Sequence, residues 1–344
     1  MCPRAASNPA GSGQVGRGDS FPSHLARRTP SSAGSHLEIA VTIKAVMRSN
    51  GDSRQDGLSS VEQWLSKQVF STPFHMNAAP AAEPVLRWAG SKRKVAPVLS
   101  DNCPDAFARY IEPFAGSASL FFRLQPKVAI LGDMNPEVTA TYLAIRDTPD
   151  LVWRLLTGIP PTKEAYLKLR SLEPQGLSQA QRAARLIFLM KGSFNGVYRT
   201  NRLGQFNVPF GTRVYRLPTH EDLLQVSRAL AETQVRLGDY REWLIDEAKA
   251  SDFVYLDPPY SSSTRFRGEY GYASAFRDEH IIPLVRVCNA LSAKGAFVML
   301  SYKPSTTLEE ELRKWNLRRL NIPRSVGGKV KTRSLAPEIL ATNY

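Results

Sequence analysis

"DFVYLDPPYS", residues 252–261, reads as a buried apolar strand that stops on an acid and leaves the sheet through two prolines and a tyrosine. Proline cannot donate to a ladder, so the strand ends there. Four similar runs lie on either side: "RYIEPF" (109–114), "VAILGDM" (128–134), "QVRLGDY" (234–240) and "AFVMLSY" (296–302). Helical patterns separate them, at "LFFRL" (120–124), about 137–157, 163–172, 178–191, "REWLIDEAKA" (241–250) and about 278–293. "LRRLNIP" (317–323) and "EILATNY" (338–344) close the chain as a hairpin. The alternation predicts an α/β fold, a mostly parallel sheet covered on both faces with a C-terminal antiparallel hairpin. Ligands bind such sheets beyond the carboxyl ends of the strands. Glu112, Asp133, Asp239 and Asp257 fall at or beside those ends.

Residues 150–232 are helical and basic, have no clear core strand, and read as an insertion. Residues 1–84 read as a disordered or weakly structured extension and linker. The first 36 carry only Asp19 as an acid, too polar to offset ordering entropy, although an Arg/Ser-rich start also matches a transit peptide. Segments 37–47 and 58–70 are expected to form local structure, the second an amphipathic helix. The expected division is 1–84, then one domain from 85–149 and 233–344, interrupted by 150–232.

The 344 residues carry 45 Lys+Arg against 31 Asp+Glu, a net charge of +14. That excess points to a polyanionic partner, nucleic acid first. It is concentrated: residues 182–216 hold seven Arg or Lys and residues 312–337 hold eight, neither with an acid. No run of 18 apolar residues occurs, so no membrane span is expected. Cys2, Cys103 and Cys288 form neither a disulfide framework nor a metal pattern, which fits a reducing cytoplasm and no metal.

Three motifs carry chemistry. "EPFAGSAS" (112–119) is a strand, a small-residue turn and a helix start, where a ligand can approach backbone N–H groups. It lacks the full dinucleotide fingerprint, but Asp133, about 20 residues on, can accept both hydroxyls of a ribose. "LRWAGSKRK" (86–94) brings Trp88 and Lys92 before the first strand; either reads as core and surface, or as an indole beside a ligand and a cation meeting a carboxylate. In "DPPY" (257–260), Asp257 can accept a hydrogen bond from an exocyclic amine and the Pro258 carbonyl a second. Pro258 and Pro259 fix the loop, and Tyr260 offers a flat face to a base.

The order "LRWAGSK", "YIEPFAGSAS", "LGDMN", "KGSFNGVYRTNRLGQFNVPFG", "DFVYLDPPY" resembles the Dam-type DNA adenine-N6 methyltransferases, over roughly residues 84–344. The resemblance implies a Rossmann-like methyltransferase sheet, S-adenosylmethionine as cofactor, and duplex DNA as substrate. It assigns the cofactor to Trp88, Lys92, Glu112, Phe114, Gly116, Ser117, Asp133, Asp239 and Asp257. Catalysis falls to Asp257, Pro258, Pro259 and Tyr260. The insert becomes a target-recognition element, with DNA contacts at Lys191, Phe194, Asn195, Arg199, Asn201, Arg202, Phe206, Asn207 and Arg213. GATC is the family-level expectation for the site, and a monomer, with or without a cognate restriction endonuclease, for the assembly. Two departures stand out: Ala118 replaces the usual second glycine of the turn, tolerable at negative φ, and Phe194 stands where some members carry Tyr. RNA adenine, protein glutamine amide, or DNA binding without catalysis are the rival readings. Asp rather than Asn at 257, with the basic insert, favours DNA adenine.

Overall fold

Strands β1 (Tyr110–Glu112), β2 (Ala129–Asp133), β3 (Thr233–Leu237), β4 (Phe253–Leu256), β5 (Phe297–Tyr302), β6 (Asn316–Pro323) and β7 (Leu335–Thr342) form one sheet in the order β3-β2-β1-β4-β5-β7-β6. The first five are parallel; β7 runs antiparallel to both β5 and β6. This computed structural model describes residues 82–88, 90–201, 203–211, 215–260, 276–323 and 335–344. All belong to one unit, Asn77–Tyr344. The expectations for residues 1–81 lie outside the described residues. Ala82, Val85 and Leu86 are buried.

The two faces of the sheet show strand alternation directly. Tyr110, Ala129, Leu131, Phe253, Tyr255, Met299 and Leu340 enter one core. Ile111, Ile130, Val254, Leu256, Val298, Leu300 and Ile339 enter the other. The first face is covered by helices α1 (Ala96–Ser100), α2 (Ser119–Leu124) and α3 (Pro136–Asp147). The second is covered by α8 (Tyr240–Glu247), α9 (Ile281–Ala293) and α10 (Thr306–Glu311). No helix among the described residues is long and apolar enough to cross a membrane.

The long β2-to-β3 crossover adds α4 (Pro149–Thr157), α5 (Lys163–Ser171), α6 (Gln179–Gly192) and α7 (His220–Leu230). The single helix expected over 137–157 is two. Pro149 disfavours helical backbone at Thr148, whose φ of −143° and ψ of 54° turn the chain. Helix α6 is buried on every side over Leu186–Met190 and shares its core with the sheet, so this crossover has no separate core. Two cations of its basic run are tied to the protein, one buried and one partly buried. Arg185, 4% exposed, donates to the carbonyls of Leu169, Arg170 and Leu172 at the end of α5. Arg182 pairs with Glu137 at 2.6 Å. Beyond α6 a two-stranded ribbon folds back through bridges Ser193↔Phe210 and Thr200↔Phe206. Asn201 Oδ1 closes its tip by accepting the N–H groups of Leu203 and Gln205.

At the amino ends of β1 and β4, Arg109 grips Asp252 with Nε at 3.0 Å and Nη2 at 2.6 Å, and Nη2 also reaches the Glu247 carbonyl. Asp252 is 1% exposed and also accepts the Lys249 N–H. Removing one partner of such a pair strands the other charge. Asp252→Ala is expected to cost about 3 kcal/mol in chemical denaturation; a loss below about 1 kcal/mol, as for an exposed pair, would show that the pair is solvated.

Candidate active site

Lys92 lies in a short turn, Lys92–Lys94, ahead of α1 and is 7% exposed. Its ammonium has three donors and three acceptors around it. Asp257 Oδ1 is at 2.6 Å, the Tyr260 hydroxyl at 2.9 Å and Glu338 Oε1 at 3.5 Å. The Tyr260 ring centroid is 5.0 Å from Nζ, and its other contact is edge-on with Tyr302. Asp257 Oδ2 makes no hydrogen bond to a described residue.

Burial, opposed by Lys92 and reinforced by Glu338, pushes the Asp257 carboxyl up to about 6. Burial pulls the Lys92 ammonium down, but Asp257 and Glu338 outweigh it and the net shift is upward. Glu112, 3% exposed and accepting the Tyr110 hydroxyl at 2.9 Å, is pushed up to about 8, mainly by burial. At neutral pH the cleft therefore holds an ionised Asp257 and a protonated Glu112, two carboxyl groups in different states.

Trp88, Lys92, Glu112, Phe114, Gly116, Ser117 and Asp257–Tyr260 line one cleft, together with Ser91 and Ser119. Gly116 has φ +46°, and a Cβ there would lie 2.6 Å from the Trp88 ring, so only glycine fits. The Ser117 hydroxyl donates to Ser91 Oγ at 2.9 Å, and Ser119 Oγ lies 2.9 Å from both. Ala118 corrects the negative-φ expectation. It is left-handed (φ 49°, ψ 41°), at a cost of about 1–2 kcal/mol, because the chain must turn sharply into α2.

Two expected cofactor carboxylates do not line the cleft. Asp133 is 1% exposed and turned onto backbone, accepting the N–H groups of Gly116 (2.9 Å) and Asn135 (2.8 Å). It holds the turn in place. Asp239 caps α8 through the Arg241 N–H and pairs with the Arg241 guanidinium. Among the described residues no group of three or more His, Cys, Asp or Glu could hold a metal ion.

Of the residues expected on DNA, Phe194 is 49% exposed and Asn195 follows it at φ 58°. Lys191 is partly buried, and desolvation with nearby Arg93 and Arg87 pulls its ammonium down. Arg199 donates to Asn207 across the ribbon at 2.8 Å, and Asn201 holds the tip. Phe206 is turned inward instead. It is 6% exposed, edge-on to Tyr198, because the ribbon's base buries its aromatic rings. Tyr198 in turn stacks on Trp88 at 5.1 Å. Arg202 and Arg213 lie outside the described residues. Sequence reasoning missed Glu338, Tyr198 and the Ser91–Ser119 hydroxyls. For Glu338 the signal was an acid opening an otherwise apolar strand, "EILA".

Residues 88–323, more than half of the chain, match the family described as D12 class N6 adenine-specific DNA methyltransferase. The type II methyltransferase M1.LlaDCHI of Lactococcus lactis subsp. cremoris is 34% identical over 273 residues, covering 76% of this chain and 95% of that protein. The type II methyltransferase M.MjaIII of Methanocaldococcus jannaschii is 31% identical, covering 64% and 83%. The DNA adenine methylase of Vibrio cholerae is 25% identical, covering 74% and 94%. A buried acid, an anchored aromatic and a glycine-floored cleft at the strand ends thus sit in a chain that belongs to the D12 class N6 adenine-specific DNA methyltransferases and methylates adenine in DNA.

Proposed function

We propose that the cleft holds S-adenosylmethionine against Trp88, Gly116 and the Ser91–Ser117–Ser119 hydroxyls, and receives an extruded adenine at Asp257–Tyr260. The residues fit such a molecule: an indole lies against a glycine that leaves no room for a Cβ, and three hydroxyls keep spare hydrogen-bonding capacity. When bound, S-adenosylmethionine supplies an electrophilic methyl group. The observation that carries the reading is Asp257, whose Oδ1 is taken by Lys92 while Oδ2 accepts from none of the described residues.

An adenine amine is a poor nucleophile because its lone pair is delocalised into the ring. Hydrogen bonds from its two N–H groups to Asp257 and the Pro258 carbonyl favour the tetrahedral nitrogen. The lone pair would take up the methyl group as its bond to sulfur breaks and leaves a neutral thioether, and Asp257 would take the proton released. Pro259 stiffens the loop and Tyr260 carries the ring. Most of the acceleration comes from positioning.

In this proposal residues 150–232 are the target-recognition element and their ribbon meets duplex DNA. Phe194 is the wedge that replaces the rotated base, and GATC is the site to try first. Arg199 and Asn207 hold the ribbon's shape, and Lys191 supplies charge beside it.

Methyl-labelled cofactor should place its label in N6-methyladenine of duplex DNA; no label in DNA of any sequence would sink the reading. Asp257→Ala should slow single-turnover transfer by about 10²–10³-fold while duplex affinity stays the same, and equal loss of both would mean misfolding. The wild-type rate should fall as pH drops through about 6, where Asp257 protonates and ceases to accept; a limb near the ordinary carboxylate value would assign the titration elsewhere. Phe194→Ala should slow methylation of paired adenine and recover on a mismatched target, whose extrusion costs less. Equal slowing on both substrates would remove Phe194 from extrusion.

A further inference from the structure

Glu338 stands in β7, followed by the buried apolar Ile339, Leu340 and Ala341, and is itself 4% exposed. Its Oε1 is enclosed, makes no hydrogen bond, and lies 3.5 Å from Lys92 Nζ. Burial, with the negative charges of Asp257 and Glu338 beside it, holds the Tyr260 hydroxyl well above its ordinary range. A carboxylate at such a strand position is costly unless something nearby requires its charge. Lys92 alone does not, because Asp257 already pairs with it at 2.6 Å. One ammonium thus faces two carboxylates, and only Asp257 reaches the cleft wall.

We propose that Glu338 is a positioning residue for the methyl acceptor: it anchors Lys92 where the ammonium grips both Asp257 and Tyr260, fixing the amine's acceptor oxygen relative to the plate that carries the base. The inference rests on the reading of Asp257 as that acceptor. Without Glu338 the ammonium loses the second charge that draws it away from Asp257, and it can swing fully onto Asp257. The spacing between Asp257 Oδ2 and the Tyr260 ring then loosens, and reactions of positioned groups are sensitive to such displacement.

Charge works in the same direction. Among the described residues, the titratable groups facing Asp257 are Lys92 from the turn before α1, Glu112 from β1, Tyr255 from β4, Tyr260 from the loop and Glu338 from β7. Lys92 holds the Asp257 carboxyl down and Glu338 holds it up. Glu338 therefore keeps Asp257 basic enough to take the proton that leaves the methylated amine.

The test compares Glu338→Gln, which keeps the shape and removes the charge, with Glu338→Asp, which keeps the charge and shortens the reach. Single-turnover rates with saturating cofactor and duplex are followed across the pH range, beside affinities for sinefungin and DNA. The Asp257 carboxyl is titrated by carbon-13 NMR of labelled aspartates, assigned with Asp257→Asn. Glu338→Gln should transfer at least about tenfold more slowly with both affinities near wild type. Its acidic rate limb and its Asp257 midpoint should both move down by about half a pH unit or more. Glu338→Asp should return the midpoint towards wild type while its rate stays reduced. A wild-type rate and midpoint in Glu338→Gln would overturn the proposal, as would a loss confined to cofactor affinity; should Glu338→Gln fail to fold, an unreduced rate in Glu338→Asp would also overturn it. Absence of transfer by the wild-type protein would instead defeat the DNA-adenine reading, and the Asp257 titration, which needs neither DNA nor turnover, would still decide the role of Glu338.

Discussion

The sheet reverses its winding between β1 and β4, and everything chemical in the molecule depends on that gap. Strands to one side are added in the order β1, β2, β3, and to the other in the order β4, β5. Their connections therefore diverge, and a crevice opens above the two central strand ends. Glu112 closes β1 and Asp257 follows β4, so both carboxyl groups meet there. At the opposite ends Arg109 and Asp252 clamp the same two strands. One end of the pair is locked so that the other can remain a cleft.

Burial sets the character of that cleft. Its carboxyl groups are lifted out of the ordinary range by desolvation, and their neighbours then separate them. Glu112 keeps a proton at neutral pH while Asp257, beside an ammonium, gives one up. Acceptance of hydrogen bonds is thereby concentrated on a single residue, the one next to the tyrosine ring. The same desolvation gives Lys92 its organising strength, since an ammonium removed from water holds its partners far more firmly than one on the surface.

Legibility in the sequence followed the range of the forces involved. The strands, the DPPY exit and the small-residue turn were readable because each is decided by neighbouring residues: apolar runs, proline stereochemistry, the absence of a Cβ. Asp133 and Asp239 were readable as strand-end acids, but not the fact that backbone amides and a helix start would claim them. The basic run looked like one surface, yet Arg185 turned inward because the last carbonyls of α5 needed donors. Phe206 looked like part of a DNA contact and became packing, because a thin ribbon must bury some ring to hold its shape. Glu338 stood out only as an acid in an apolar strand: its partner Lys92 lies 246 positions away, and only the folded sheet brings them together.

The stack of Trp88 on Tyr198, and of Tyr198 against Phe206, has a mechanical consequence. The ribbon is rooted in the wall of the cleft, because Trp88 lines that cleft from the other side of the stack. Replacements among the ribbon's exposed residues, Phe194 included, leave the stack alone. A change of ring at Tyr198 cannot, since it moves the surface on which the Trp88 indole rests. The ribbon and the cleft are thus joined through two rings and can shift only together.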